Sequence, residues 1–367
     1  MRIGYDYQAF LRRHGGVSRY FAELVRNLNR QPGVQATVVA PVYVNRYLLI
    51  PQIRRRVRGF FLPFEFRGSA RLAAELSAAL QPVFSPWRGF DVVHETYYSQ
   101  QPVGRGRVRV LTVYDMIHEL FPQDFADSAQ VSAAKRVAVA RADHVICISE
   151  TTRQDAIRLL GIAPERTSVT YLACAPDDPA AGARPSLSIA PFVLYVGPRG
   201  GYKNFAVLLQ AFAASRELNQ HLNLVAFGGG AFSDEERRAI ERCALGSRVR
   251  QVNGDDEILS AYYEAARAFV YPSRYEGFGL PPLEAMARGC PVACSDAGSI
   301  REVVGDAGAY FNPDDSNQLR SILERIVADR EYSEQLRLEG YACVSKYSWQ
   351  KCAAETLGIY ERLTDCA

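Results

Sequence analysis

Short apolar runs alternate with longer amphipathic stretches along the chain. Residues 2–5, 36–40, 92–94, 108–113 and 144–148 read as buried strands, and 18–28 and 151–160 as the clearest helices between them. After residue 190 the pattern restarts, with strands at 192–196, 222–227, 268–271 and 291–294. Apolar runs separated by helices mark parallel sheets covered on both faces. Two such series predict an α/β chain of two doubly wound, Rossmann-like domains, residues 1–175 and 190–348. The default ligand site is then a cleft between them, because strand C-termini of both sheets can aim at the gap. Residues 175–190, rich in Pro, Ala, Gly and Ser and without period, predict the linker. The last segment, 349–363, is amphipathic and predicts a helix that packs back on the first domain.

Composition narrows the picture. The 367 residues are 48% apolar, enough for sizeable cores. Lys and Arg (43) nearly balance Asp and Glu (40), and a net charge of +3 does not point to nucleic acid. The eight cysteines form no C-x-x-C pair and no zinc signature with histidine, so they read as small core residues in a reducing compartment. The chain opens on a strand with no apolar signal core, and no run of about 20 apolar residues occurs. The expectation is a soluble, cytoplasmic protein.

Chemistry concentrates where strands end. After the strand at 268–271 comes Ser273-Arg274-Tyr275-Glu276-Gly277-Phe278-Gly279-Leu280-Pro281-Pro282-Leu283-Glu284. The two prolines suit the start of a helix, whose free N–H groups favour an anion beside Glu276–Gly279. Gly277 and Gly279 let a ligand approach the backbone. Carboxylates at Glu276 and Glu284 are good acceptors for vicinal hydroxyls, so phosphates at the backbone and hydroxyls at the glutamates describe a nucleotide-sugar site. After the strand at 192–196, Gly197-Pro198-Arg199-Gly200-Gly201-Tyr202-Lys203-Asn204 sets two cations among glycines. Arg199 and Lys203 can both reach one diphosphate and neutralise a leaving group.

The 276–284 segment resembles the E-x7-E motif of the retaining glycosyltransferases of family 4, which have the GT-B fold. Gly289-Cys290-Pro291-Val292 and Gly298-Ser299-Ile300-Arg301-Glu302-Val303 also resemble that family. The likeness implies that Glu276 contacts the donor sugar and Glu284 the ribose. It implies that main-chain groups of Gly277, Phe278, Gly279 and Leu280 approach the sugar and diphosphate, and that Arg199 and Lys203 hold the diphosphate. It implies further that the glycine loop with Gly15 and Gly16, in His14-Gly15-Gly16-Val17-Ser18, lies beside the donor, with Ser18 read as the cap of the next helix. Many members have His-Asp where this chain has Tyr114-Asp115. In that family the His contacts the donor sugar, which makes Tyr114 a donor-side candidate but a departure, since a phenol donates one hydrogen bond but does not titrate near neutrality. Asp115 is the stronger candidate there, and His118 stands between a donor contact and an ordinary half-buried histidine.

In such a fold the first domain receives the acceptor, which makes His94, Glu95 and Tyr98 candidates for that side. The resemblance implies transfer of a hexose, mannose or rhamnose, with retention, from a nucleotide-diphosphate sugar such as GDP-mannose or dTDP-rhamnose. The acceptor would be a glycan or lipid-linked glycan of a surface polysaccharide. No cofactor and no metal are expected, since no Asp-x-Asp motif stands at a strand exit. The base pocket is placed near 253–259. Two alternatives stay open: a sugar-nucleotide epimerase of the same fold, and a non-catalytic sugar-nucleotide-binding subunit. Arg54, Arg55, Arg56, Arg58 and Arg67 lie among aromatics, either as a solvated basic strand or loop or as a peripheral contact with an anionic membrane.

Overall fold

The computed structural model describes residues 1–63, 68–84, 89–174 and 191–366. The linker expected at 175–190 therefore lies outside the described residues. The chain divides into two compact units, one of residues 1–172 with 349–367, the other of 173–348.

Unit 1 carries strands β1 (Arg2–Tyr5), β2 (Gln35–Tyr43), β3 (Val57–Phe61), β4 (Val92–Glu95), β5 (Val108–Val113), β6 (His144–Cys147) and β7 (Thr167–Val169). Its helices are α1 (Gly16–Leu28), α2 (Pro51–Arg54), α3 (Ser69–Phe84), α4 (Ile117–Leu120), α5 (Ser128–Arg141) and α6 (Glu150–Leu160). All strand pairs are parallel, in the order β3-β2-β1-β4-β5-β6-β7. Ile3 faces Ala36 on one side and Val92 on the other, so β1 and β4 sit where the order reverses. The central strands are buried along their length because both faces are covered. At the edge, β3 slips register against β2 between Val39 and Val42. Gly59 (φ 149°) is needed there, since a Cβ would meet the Ala40 carbonyl oxygen.

Unit 2 carries β8 (Phe192–Val196), β9 (Asn223–Phe227), β10 (Val249–Val252), β11 (Ala268–Tyr271), β12 (Val292–Ser295) and β13 (Gly308–Phe311). Its helices are α7 (Phe205–Ala214), α8 (Arg216–His221), α9 (Asp234–Arg242), α10 (Asp256–Ala265), α11 (Leu280–Ala287), α12 (Ile300–Val304), α13 (Ser316–Ala328) and α14 (Arg330–Val344). The sheet is again parallel, ordered β10-β9-β8-β11-β12-β13, and reverses between β8 and β11. Its core gathers Val193, Tyr195, Phe205, Leu208, Phe212, Leu224 and Val270. The last helix, α15 (Trp349–Asp365), belongs to unit 1 and packs along α1.

Candidate active site

In a doubly wound sheet, ligands meet the strand C-termini where the order reverses, because the two flanking loops turn apart and leave a crevice. In unit 2 those loops follow β8 and β11. They deliver Lys203 and Glu276, whose Nζ and Oε1 lie 2.6 Å apart, with both side chains mostly buried. Burial alone draws the Lys203 ammonium toward neutrality, but the Glu276 charge outweighs it and the lysine stays charged. The Tyr202 and Tyr271 rings stand beneath the ammonium, with centroids 5.0 and 5.7 Å away. The backbone of Glu276 is pinned from the β12 exit: Ser299 Oγ donates to its carbonyl at 2.9 Å. Gly298 (φ 57°) abuts the Glu276 peptide, where a Cβ would sit 2.8 Å from its nitrogen.

Past Glu276, the buried Gly277, Phe278 and Gly279 lead into α11, with Gly279 left-handed at its cap (φ 102°) and prolines in its first turn. Leu280 opens the helix, whose unpaired amides and dipole favour an anion at this end. Glu284 is half-buried one turn further on and accepts a hydrogen bond from the Tyr263 hydroxyl at 3.4 Å. The segment expected for the base, 253–259, is the turn into α10, capped by Asp255.

Arg199 is placed otherwise than the sequence suggests. Its side chain is only 2% exposed and is held inside unit 2. Nε donates to Glu236 at 2.8 Å, Nη1 to the Gly228 carbonyl at 2.9 Å, and Nη2 to the Gly230 and Ala231 carbonyls at 3.0 and 3.2 Å. The ring of Phe232 covers it at 4.7 Å. Three consecutive left-handed glycines, Gly228, Gly229 and Gly230, make this possible by turning their carbonyls onto the guanidinium. Glu236 feels burial first, which raises its carboxyl, but the Arg199 and Ser233 hydrogen bonds hold it below the usual range. The expected pair of loop cations is thus one arginine locked to a neighbouring turn and one lysine joined to Glu276.

In unit 1 several of the candidates are buried. His94 is fully buried in β4, with Nδ1 2.5 Å from the Tyr360 hydroxyl and Nε2 2.8 Å from Thr112 Oγ1. Burial drives its pKa down to about 3, so it is a neutral core group rather than a surface contact. Glu95, also fully buried, is clamped between Arg109 and Arg141, each 2.5 Å away. Tyr98 is buried, its hydroxyl accepting the Tyr114 N–H at 3.2 Å. Both sheet faces are covered, so consecutive residues of a central strand are hidden alike. Tyr114 is buried too, and its hydroxyl donates to the Thr96 carbonyl at 2.5 Å. Asp115 is half-buried at the β5 exit, its Oδ1 accepting the Ile117 N–H at 3.2 Å. The Asp115 carbonyl is held by the buried Lys135, which also pairs with Glu119 at 2.7 Å. His118 lies in α4 against Phe125, with a buried Nδ1 that has no hydrogen-bond partner. Gly15 and Gly16 are exposed at the start of α1. Gly15 is the cap, and Ser18 donates back to its carbonyl rather than capping the helix itself.

The reversal point of unit 1 was missed by sequence reasoning. Asp6, leaving β1, accepts hydrogen bonds from Thr96 N at 3.1 Å, Thr96 Oγ1 at 2.5 Å and Gln8 N at 2.9 Å. Burial pushes its carboxyl up to about 7, against the pull of these donors. The sequence signals are a carboxylate directly after β1, Tyr5-Asp6, and, for the arginine clamp, the glycine run Gly228-Gly229-Gly230 directly after β9.

Residues 14–219 match the family model described as Glycosyltransferase Family 4, and residues 185–342 the one described as Glycosyl transferases group 1. The O-antigen chain mannosyltransferase B of Escherichia coli is 34% identical over 230 residues, which is 60% of this chain and 60% of that protein. The chain thus aligns with about three fifths of that relative's length. Among solved structures, the sucrose-phosphate synthase of Thermosynechococcus elongatus superposes with a TM-score of 0.73 at 22% identity, covering 100% of both chains. WaaG, a glycosyltransferase involved in lipopolysaccharide biosynthesis, does so with 0.71 at 15%, covering 98% of this chain and 99% of that one. These neighbours share the fold of two Rossmann-like units.

Proposed function

The chain belongs to glycosyltransferase family 4, and from that premise we propose that it moves a hexose, with retention, from a nucleotide-diphosphate sugar to a glycan or lipid-linked glycan of a surface polysaccharide. Mannose from GDP-mannose is the first choice, in line with the name of the E. coli relative, and rhamnose from dTDP-rhamnose the second. The observation that carries this reading is the Lys203–Glu276 pair at the reversal point of unit 2, beside the start of α11. A diphosphate resting on the α11 amides brings its charge to Lys203. Glu276, shared until then with the lysine, accepts hydroxyls of the attached sugar. Glu284 takes the ribose. The glycosidic C–O bond to the diphosphate breaks as the acceptor oxygen bonds to the same face of the anomeric carbon, and a donor phosphate oxygen takes the acceptor proton. Lys203 and the helix amides oppose the charge that builds on the departing diphosphate. The reading calls for no cofactor and no metal ion, and it places the work where nucleotide sugars are made, in the cytoplasm. Asp115 would stand near the acceptor as a hydrogen-bond acceptor.

The test pairs calorimetric GDP binding with transfer from GDP-mannose to octyl α-mannoside. Glu276→Ala is expected to lower turnover at least 100-fold while free GDP binds as well or better, because Lys203 is released. Glu284→Ala is expected to weaken donor and GDP alike, by about 1.5–3 kcal/mol for a lost charge-assisted bond. An exchange of these behaviours overturns the donor orientation. GDP binding without any transfer supports a non-catalytic sugar-nucleotide-binding chain instead.

A peripheral membrane contact is part of the proposal. Of the seven large apolar side chains exposed among the described residues, four (Phe60, Leu72, Leu76 and Val83) fall between residues 60 and 83. Leu72, Leu76, Ala79 and Val83 run along one side of α3, and Arg54, Arg55, Arg58 and Arg71 are exposed nearby in sequence. Cations beside exposed apolar groups suit an anionic bilayer. Arg67 lies outside the described residues. No helix among them is long and apolar enough to cross a membrane.

A further inference from the structure

The geometry points to Tyr97 as the platform on which the acceptor's terminal sugar rests. This deepens the transferase reading and rests on it. In unit 1 the strand order reverses between β1 and β4, so their exit loops bound the crevice of that sheet. The floor there is rigid. Buried Asp6 ties the two loops through Thr96, whose Oγ1 also accepts the Ala9 N–H at 3.0 Å. Tyr97 is the next residue. Unlike its neighbours Tyr98 and Tyr114, it is only half-buried. Its ring lies nearly parallel to that of Tyr114, 25° apart with centroids at 6.1 Å, and 4.7 Å from that of Tyr98. Two buried rings, each with its hydroxyl engaged in unit 1, therefore hold a third that is itself only half-buried. The charges of Asp115, Arg12 and Asp127 all act on the Tyr97 phenol.

A hexose has an apolar C–H face and a rim of hydroxyls. A fixed aromatic ring matches the first, and the half-buried Asp115 carboxylate at the exit of the neighbouring β5 offers acceptors for the second. Tyr114, expected from the sequence to touch a sugar, instead supports the ring that does. Because the ring is held by stacking rather than by a bond to its hydroxyl, its aromatic character should matter and its hydroxyl should not.

The probe is octyl α-mannoside with the full chain. In saturation-transfer NMR, irradiating protein aromatic protons is expected to label the sugar ring protons. The signal is expected to fall at least tenfold in Tyr97→Leu and to survive in Tyr97→Phe. In transfer assays Tyr97→Leu is expected to raise the acceptor KM about tenfold and to leave the GDP-mannose KM and GDP binding unchanged. Three results overturn the assignment: sugar labelling retained in Tyr97→Leu or absent from the wild type, donor and acceptor KM rising together, or Tyr97→Phe failing as badly as Tyr97→Leu. Loss of GDP binding by the wild type would instead sink the transferase reading, while the NMR experiment still decides on Tyr97.

Discussion

A guanidinium has five N–H donors in a fixed plane, and at Arg199 all three nitrogens already meet protein acceptors inside unit 2. Lys203, on a flexible four-carbon stem in the same loop, meets one carboxylate that a ligand can share. The two cations should therefore fail differently. Arg199→Ala leaves Glu236 and a ring of carbonyls without their partner, and breaking a buried pair costs about 3–5 kcal/mol. Glu236 is 22% exposed, so the lower end is expected. Lys203→Ala also leaves the mostly buried Glu276 without its partner and is expected to cost stability, yet, unlike Arg199→Ala, to weaken GDP binding in a salt-sensitive way. Urea denaturation and calorimetry at two salt concentrations measure both. An Arg199 variant of normal stability with weakened GDP binding would return that residue to the diphosphate.

At the scale of elements, the exposed side of α3 and the basic turn before β3 make separable contributions to a membrane surface. Replacing Arg54, Arg55 and Arg58 by Ser is expected to lower sedimentation with anionic vesicles, at about 1 kcal/mol per cation near the surface. Replacing Leu72, Leu76 and Val83 by Gln is expected to lower it as well, and the binding that remains, carried by the cations, is expected to be the more salt-dependent. Sedimentation equal to wild type in both variants would make this ordinary surface. Elements also explain what the sequence could disclose. The strands that apolar runs reveal are the interior ones, whereas β3, β7, β10 and β13, which the runs do not mark, are the four edges of the two sheets. An edge strand has a neighbour on one side only and mixes polar with apolar residues, as Val249-Arg250-Gln251-Val252 does. The site divides similarly. Glu276 and Lys203 were legible because each follows an apolar strand directly. Glu236, the partner of Arg199, was not, because it sits 37 residues away and reads locally as half of a capping box with Ser233. The burial of His94 and Glu95 is not legible, because a polar strand end looks alike in sequence whether it faces solvent or a buried partner.

The whole molecule depends on a chain that leaves unit 1 at residue 172 and re-enters it at 349. What returns is α15, which buries Trp349, Cys352, Ala353, Thr356, Ile359 and Tyr360. Trp349 lies against Tyr20, with ring centroids 6.3 Å apart. Tyr360 holds both the Nδ1 of His94 and, at 3.1 Å, the hydroxyl of Tyr5, two fully buried groups. Burial of Trp349, Ile359 and Tyr360 alone is worth about 4.5–9 kcal/mol at about 1.5–3 kcal/mol each. That is comparable with the whole stability of a domain, about 5–15 kcal/mol. A chain ending at Ser348 is therefore expected to keep unit 2 folded and to lose unit 1. The milder Tyr360→Phe keeps the packing and leaves buried polar atoms of His94 and Tyr5 without their partner, a cost of about 1–3 kcal/mol confined to unit 1. Calorimetry is expected to show one transition retained and one lost in the truncated chain, and one transition lowered in Tyr360→Phe. Limited proteolysis assigns them, since the truncated chain should yield a resistant fragment from unit 2 and none from residues 1–172. A resistant 1–172 fragment in that experiment would mean that the first sheet closes its own core and that α15 only rests on it.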